Sequence, residues 1–178
     1  MSNDLGKLSC EYVVLNDLFF MGGGNSKSVQ IDHIVVSPYG VFVIETKNYR
    51  GWILGGENSE YWHHVFYKSK YLFYNPIKQN KSHVKFLCYL LKYCGTIPII
   101  PIVVFNDTAE LKCYVKNHIV INRCDLIKCI SSYRNVVLNN WQVNSIIEII
   151  KRNNITPDKQ MMKRHIKYVQ NKRGGFVN

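Results

Sequence analysis

Acidic residues and long apolar runs are both scarce in this sequence. Asp and Glu number 12 against 23 Lys and Arg, which gives a formal net charge of +11. No run approaches the ~20 apolar residues that a membrane-spanning helix needs, and the first residues lack the basic-then-apolar order of a signal peptide. We therefore expect a cytoplasmic protein without membrane contact. The basic excess favours a polyanionic partner, chiefly nucleic acid.

Cysteine pairs at metal-ligand spacing are also absent. None of the six cysteines belongs to a C-x-x-C pair, and no histidine lies at the spacing of a zinc site. Free thiols are therefore expected rather than disulfides or zinc ligands. We expect these thiols to be buried: Cys10, Cys88, Cys94, Cys113, Cys124 and Cys129.

Length and charge distribution predict one main domain with a basic extension. The 178 residues are 47% hydrophobic and 13% aromatic, enough for a single core. From residue 151 onward, eight Lys and Arg stand against one acid, so we divide the chain into a domain at 1–150 and a basic C-terminal helix and tail at 151–178. Three residues there are candidate nucleic-acid ligands: Lys163, Arg164 and Lys167. The alternative is a solvated tail that only aids solubility. The richness in Ile, Asn, Lys and Tyr hints at a bacterial origin.

The most informative pattern is a pair of apolar strands interrupted by polar residues. Residues 30–48 are interpreted as a hairpin with its turn at 37–40. Asp32, Glu45 and Lys47 lie at the end far from that turn, where a core strand would carry valine. Both faces of the predicted strands are otherwise largely apolar, which is typical of strands covered on both sides.

Counting outward from the turn predicts the register of the hairpin. If Ile34 pairs with Val43, the next facing pair is Asp32 with Glu45, and their Cβ atoms lie about 4.5–5.5 Å apart on one face. Lys47 points the same way, because side chains alternate along a strand. A slip of one residue would put the two carboxylates on opposite faces. The predicted site therefore depends on this register.

Two facing carboxylates and an ammonium group suit a site for a metal ion and a phosphate. Mg²⁺, or Mn²⁺ in its place, prefers carboxylate, carbonyl and water oxygens. Such an ion polarises a phosphoryl oxygen and activates water, and a lysine can orient that water or stabilise charge on phosphorus. The alternative is a buried salt bridge, which is costly to desolvate and adds little stability. We favour the site.

Apolar residues at helical spacing predict a first helix from Asn3 to Phe20. Glu11 interrupts this segment and would either reach a site at the edge of the sheet or lie on the surface. A glycine-rich loop follows at 22–26. It does not fit a nucleotide phosphate loop, because a strand follows it where a helix should begin.

The pair Asn75-Pro76 signals the start of a later helix, with Asn75 as N-cap. This helix would run to about Tyr93. Gln79 and His83 are one turn apart and share a face. The early part of the helix is basic, and its lysines either approach phosphate or form a solvated surface: Lys78, Lys81 and Lys85.

The remaining segments are predicted strands and helices. Together with the hairpin they predict a mixed α/β domain. A central sheet would be flanked by helices, with further helices at the C-terminus. The other predicted strands begin at Tyr49 and cover 61–66, 71–74, 98–105 and 118–122. The other predicted helices cover 125–131, 140–151 and 158–170.

These residues resemble a known family. An acid in one strand and Glu-x-Lys in the next resemble the PD-(D/E)XK nuclease superfamily, which has the restriction-endonuclease-like fold. More closely, the chain from about Leu5 to Phe105 resembles the NERD (nuclease-related) domain. The segments that carry this resemblance are Gln30-Ile-Asp-His-Ile-Val-Val, Gly40-Val-Phe-Val-Ile-Glu-Thr-Lys-Asn, Gly51-Trp-Ile, Trp62 and Asn75-Pro-Ile-Lys-Gln.

The resemblance implies roles for individual residues. Asp32 and Glu45 would bind the metal ion, and Lys47 would be the catalytic lysine. Glu11 would complete or support metal binding from the first helix, and Gln79 matches a glutamine on the helix after the sheet. Two departures stand beside these matches: a proline that often precedes the first acid is absent, and a tyrosine of related nucleases is replaced by His83.

We therefore expect a Mg²⁺-dependent nuclease that hydrolyses phosphodiester bonds, with DNA favoured over RNA. Two other functions stay open. A non-catalytic nucleic-acid-binding module on the same fold would use the basic tail equally well, although it has no need of acids beside phosphate. A scaffold domain would use the three polar residues as a structural ion pair. The protein would be a monomer or a homodimer.

Overall fold

The computed structural model describes residues 1–22 and 28–172. The strands are β1 (Val13–Met21), β2 (Ser28–Ser37), β3 (Gly40–Lys47), β4 (Gly51–Gly56), β5 (Tyr61–Phe66), β6 (Ser69–Tyr74), β7 (Ile99–Phe105), β8 (Ala109–Tyr114) and β9 (Ile119–Asn122). The helices are α1 (Ser2–Leu5), α2 (Pro76–Leu90), α3 (Leu126–Ser131), α4 (Asn140–Asn153) and α5 (Lys159–Lys172). Within these ranges no helix is long and apolar enough to cross a bilayer. Most of the glycine-rich loop at 22–26 and the tail after residue 172 lie outside the described residues.

The central sheet is mixed, as the sequence predicts. Its strand order is β1-β2-β3-β7-β9, in which β1, β2 and β3 are antiparallel and β7 and β9 run parallel to β3. A second sheet with the order β6-β5-β4-β8 begins just after β3. Strand β8 was not predicted from the sequence, because only Ala109 in it is buried and its apolar pattern is weak. The mixed α/β class is confirmed.

Helices cover both faces of the central sheet. On one face Val43 of β3 packs in a cluster with Leu87 of α2 and Ile146 of α4. On the other face the next residue, Ile44, packs with Leu126 of α3. Consecutive residues of β3 are therefore both buried, and apolar side chains are favoured at each position. Polar side chains at the end of this strand stand out against that background.

The predicted register of the hairpin is confirmed over its paired part, which ends at His33 with Ile44, before the third predicted pair of Asp32 with Glu45. Val36 faces Val41, and Ile34 faces Val43. All four side chains are fully buried, so a slip of one residue would exchange the sets of residues that the two core clusters receive. The apolar pattern on both faces and the short turn together fix this pairing.

The first helix, predicted from Asn3 to Phe20, is wrong over most of its length. Helix α1 ends at Leu5, and the later part of the segment is strand β1. Strand β1 pairs with β2 from Val13 to Met21 and satisfies the backbone groups at the open edge of β2. The helical spacing of apolar residues was coincidental, and tertiary pairing decided the structure.

Helix α2 begins where the sequence predicts. The side chain of Asn75 accepts a hydrogen bond from the Ile77 N–H at 2.9 Å, and Pro76 is the first helical residue. The helix ends at Leu90, about one turn before the predicted end at Tyr93. The correct start matters most for the site, because it sets which residues of the first turns face the sheet.

Asn80 holds α2 against the central sheet. Its side-chain amide donates to the carbonyl of Val43 at 2.9 Å and to that of Ile102 at 3.1 Å. These carbonyls belong to β3 and β7, so the helix is bonded to the middle of the sheet through both strands. Asn80 is 1% exposed, which makes this polar contact part of the core.

The six cysteines are free thiols, but of the six that were expected to be buried only one is, two are half-buried and three are exposed. Cys94 is buried, whereas Cys10, Cys88 and Cys124 are exposed. Cysteine spacing carries no information on burial. The exposed thiols lie on segments whose orientation is set by pairing and packing elsewhere.

Candidate active site

The ladder between β2 and β3 opens at the end far from the hairpin turn. The last backbone pair is His33 with Ile44. Beyond it, Asp32 Oδ2 accepts hydrogen bonds from the Thr46 N–H at 2.8 Å and from Thr46 Oγ1 at 2.6 Å. The Asp32 carboxylate thus takes the role that a backbone carbonyl has in a continued ladder. Both strands fix its position.

Glu45 and Lys47 form a close ion pair on β3. Lys47 Nζ donates to Glu45 Oε1 at 2.6 Å and to Gln79 Oε1 of α2 at 3.0 Å. The side chain of Glu45 is 3% exposed and that of Lys47 is 11% exposed. Glu45 and Lys47 are two positions apart on the strand, so their side chains lie on the same face, as predicted. Helix α2 covers that face.

His83 joins this cluster from α2. Its Nδ1 lies 3.5 Å from Glu45 Oε2, and its side chain is 10% exposed. His83 follows Gln79 by one helical turn, and the face that they share is directed at β3. Glu45 therefore lies between Lys47 on its own strand and His83 on the helix.

Asp17, an acid that the sequence analysis missed, lies across from Asp32. Strands β1 and β2 are paired on both sides of this position, and Asp17 has a φ of 50° in the left-handed region. Burial lowers the pKa of His33, whereas the nearby carboxylates of Asp32 and Asp17 act in the opposite direction. Assigning 13–21 as a strand would have placed Asp17 here.

Glu11 lies at the opposite end of the hairpin. Its Oε2 accepts a hydrogen bond from the Tyr39 hydroxyl at 3.1 Å, and Tyr39 belongs to the turn. Both residues line a cavity of about 390 Å³. The structure does not bring Glu11 to Asp32 and Glu45, because the long helix expected to carry it does not form.

Comparison with known families supports the resemblance. The model of the nuclease-related domain, NERD, matches residues 2–106, a range that holds the hairpin, Gln79 and His83. The chain belongs to the nuclease-related domain family. The PD-(D/E)XK superfamily and its restriction-endonuclease-like α/β fold agree with this membership and with the mixed central sheet.

A bacterial relative extends the similarity beyond the NERD match. An uncharacterized protein of Bacillus anthracis is 40% identical over 164 residues, which cover 90% of this chain and 75% of that protein. This span is longer than the family match, so the similarity continues past residue 106. No solved structure matches the chain significantly.

The acidic residues of this NERD domain suit a hard cation that is held partly by its substrate. Within the described residues, no group of three or more Asp, Glu, His or Cys side chains is placed to hold a metal ion. Mg²⁺ commonly uses one or two protein carboxylates and takes its remaining oxygens from water and phosphate. The eight ion pairs of the described residues include neither Asp17 nor Asp32. Two neighbouring acids that take part in none of these ion pairs fit such a cation.

The basic residues predicted to bind nucleic acid lie on two helices. Helix α5 contacts the central sheet through His165, whose Nδ1 lies 2.8 Å from Ser28 Oγ. Ser28 precedes Asp32 by four residues on β2, about 13 Å along the strand, so α5 lies at the end of the sheet that carries the site. None of the six is buried: Lys78, Lys81 and Lys85 on α2, and Lys163, Arg164 and Lys167 on α5.

Proposed function

We propose that this protein is a metal-dependent nuclease that hydrolyses phosphodiester bonds in DNA. The contact that carries the proposal is the 2.6 Å pair of Lys47 Nζ with Glu45 Oε1, which Gln79 supports at 3.0 Å. Glu45 and Lys47 lie on one face of β3, beside the opened ladder where Asp32 is held. The NERD family makes a nuclease-related activity the natural use of this set.

A purely structural ion pair accounts less well for the same residues. Burying two charges costs several kcal/mol per ion before their attraction is counted, and apolar residues of similar volume often stabilise as well or better. Residues 40–44 of β3 are apolar or glycine, so valine or isoleucine at position 45 would continue their pattern. A charged pair here is best explained by chemistry that needs it.

Asp32 and Glu45 would hold the metal ion, Mg²⁺ or Mn²⁺, with Asp17 close to it on the neighbouring strand. When bound, such an ion supplies Lewis acidity at phosphorus and lowers the pKa of a coordinated water. No hydrogen bond from a described residue reaches Asp32 Oδ1, so this oxygen can serve as a ligand while Thr46 fixes the other.

Lys47 would act on the phosphate or on the attacking water. Its ammonium group has three N–H donors, and Glu45 and Gln79 fix two of them. The third can donate to a phosphoryl oxygen or orient a water for attack opposite the leaving oxygen. Attack with release of the 3′ oxygen would leave 5′-phosphate and 3′-hydroxyl ends.

The lysines of α2 and the basic residues of α5 would hold the DNA backbone. Contacts of this kind go to phosphate oxygens and carry no sequence information. Lys78 adjoins Gln79, so the basic surface of α2 begins beside the site. We also place the protein in the cytoplasm of a bacterium, where free thiols such as those seen here are maintained.

Cleavage assays test the proposal directly. Purified protein is incubated with end-labelled DNA or RNA in Mg²⁺, Mn²⁺ or EDTA. We expect DNA cleavage with either metal, none in EDTA, and none by Asp32→Asn or Glu45→Gln. Asp125→Asn is the matched control, because this aspartate is exposed and makes no capping hydrogen bond.

The outcomes separate the candidate functions. DNA binding that both site variants retain, together with lost cleavage, supports catalysis. Binding without cleavage in any metal would favour a non-catalytic nucleic-acid module. Failure to bind DNA even at low salt would favour a scaffold domain and would contradict the proposal altogether.

A further inference from the structure

Aromatic rings form a continuous ridge along the second sheet. The ridge consists of Tyr49, His64, Phe66, Tyr67 and Tyr71. Tyr49 stacks on His64 with ring centroids 4.7 Å apart, and His64 lies 6.2 Å from Phe66 and 6.1 Å from Tyr71. Phe66 and Tyr67 follow at 4.4 Å. Tyr49 comes two residues after Lys47, so the ridge begins beside the end of β3 and runs to the tip of the β5–β6 hairpin.

The outer part of this ridge is exposed. Tyr67 is 89% exposed, Tyr71 is 58% exposed and Phe66 is 38% exposed. The inner end joins the core, since Tyr49 also contacts Phe73 at 4.9 Å. Core packing explains the inner end only, because rings in solvent bury little apolar area. The exposed rings call for another explanation.

The backbone at the tip of the hairpin is strained. Phe66 pairs with Ser69, which leaves Tyr67 and Lys68 as a loop of two residues. Tyr67 has a φ of 52°, and glycine, asparagine or aspartate usually fill such a position. A bulky tyrosine kept in this conformation points to a function of the side chain.

The segment that carries four of the five ridge residues has charge of one sign. Residues 61–106 contain six lysines and no acid. Lys68 and Lys70 lie at the hairpin tip, and the lysines of α2 follow in the same stretch. Aromatic rings interleaved with lysines match a strand of nucleic acid, in which bases stack and phosphates pair with ammonium groups.

We propose that this ridge binds the unpaired bases of single-stranded DNA and leads the strand to Lys47. Stacking on an exposed ring needs a free base face, which a paired duplex does not offer along its length. The ridge therefore selects single strands or frayed ends over intact duplex. Delivery to the catalytic residues rests on the proposed nuclease function, whereas the stacking itself does not.

Binding measured in EDTA tests the ridge apart from catalysis. The full chain is titrated against fluorescently labelled oligothymidine, the matching duplex, and an abasic oligonucleotide. Tyr67→Gly should weaken oligothymidine binding about five-fold or more, since one base stack is lost. It should leave duplex and abasic binding unchanged. Glycine suits the φ of this position, so the melting temperature should not fall.

Two further variants complete the test. Tyr71→Ser should weaken oligothymidine binding in the same direction. Tyr93→Ser, which removes a ring that is 83% exposed beyond the far end of α2, should not. The proposal is overturned if Tyr67→Gly leaves oligothymidine binding unchanged, weakens abasic binding equally, or abolishes a dimer of the chain instead. If Tyr67 matters for binding while the wild-type protein cleaves nothing, the ridge stands and the nuclease proposal fails.

Discussion

The two ends of the β2–β3 hairpin differ in what their side chains do. At the turn end Val36 faces Val41 and both are fully buried. At the open end the backbone ladder stops, and Asp32, Glu45 and Lys47 replace apolar residues. One pair of strands thus carries both a folding core and a candidate reaction site. The site therefore begins where pairing between β2 and β3 ends, although β3 stays paired with β7 as far as Lys47.

The two ends also differ in their energetic role. Burying a valine or isoleucine side chain contributes about 1.5–3 kcal/mol to stability. Burying the Glu45–Lys47 pair carries a desolvation penalty that its attraction offsets only in part. Apolar burial at the turn end and in the middle of the hairpin therefore offsets the desolvation penalty of the charged pair at the open end. Substitutions at the two ends should separate stability from activity.

The largest effect is expected from Lys47→Met at the open end. Loss of a donor aimed at developing charge should lower the rate of DNA cleavage by about 10²–10³-fold. Removing one partner of a buried pair also destabilises, so rates are compared per folded molecule, with folding followed by circular dichroism. Lys128→Met, at an exposed position on α3, is the control. Undiminished cleavage by folded Lys47→Met would remove this lysine from the mechanism.

Ile34→Ala should show the opposite pattern. Ile34 is fully buried opposite Val43, so truncation should lower the free energy of unfolding by about 2–5 kcal/mol. Urea titration measures this loss, and Ile34→Val should lose only about 0.5–1.5 kcal/mol. Cleavage per folded molecule should stay unchanged in both. A large loss of activity in folded Ile34→Val would mean that the two ends of the hairpin are not separable.

The sequence predicts the hairpin well because several separate signals agree. One register fits the apolar residues on both faces, the turn, and the polar residues Asp32, Glu45 and Lys47. The N-cap signal at Asn75 likewise sets the phase of α2, so the common face of Gln79 and His83 could be predicted. The structure of these elements follows from residues that are close together in the sequence.

The rest could not be predicted because tertiary pairing decides it. Apolar residues in 3–20 have helical spacing, yet the open edge of β2 recruits Val13–Met21 as a strand. Because of this error, Glu11 was predicted to reach the site and Asp17 was missed. Strand β8 is half-exposed and exists only through its pairing with β4. The aromatic ridge depends on that second sheet, so the sequence pattern did not reveal it.

Thr46→Val tests the open end of the hairpin with a smaller expected effect on activity than Lys47→Met. The variant removes the Oγ1 donor that lies 2.6 Å from Asp32 Oδ2 and keeps the backbone donor at 2.8 Å. Residues that orient metal ligands typically change metal affinity about 10–100-fold, and we expect the low end because one bond remains. The Mn²⁺ concentration for half-maximal cleavage should rise about ten-fold. The same Mn²⁺ dependence as wild type would show that Thr46 does not position Asp32.

The smallest effect on cleavage is expected from Glu11→Gln at the turn end. The ionisation of Tyr39 provides a second measurement of what this substitution changes. The hydrogen bond to the Glu11 carboxylate raises the pKa of the Tyr39 phenol, with burial and charge acting in the same direction. Removing the carboxylate should therefore lower that pKa, so Tyr39 ionises at lower pH in a difference titration of phenolate absorbance. Cleavage and its metal dependence should be unchanged, because Tyr39 belongs to the turn and Asp32 lies beyond the opposite end of the β2–β3 ladder. A loss of cleavage comparable to that of Asp32→Asn would mean that Glu11 reaches the metal in the active protein, and the separation of the two ends would be wrong.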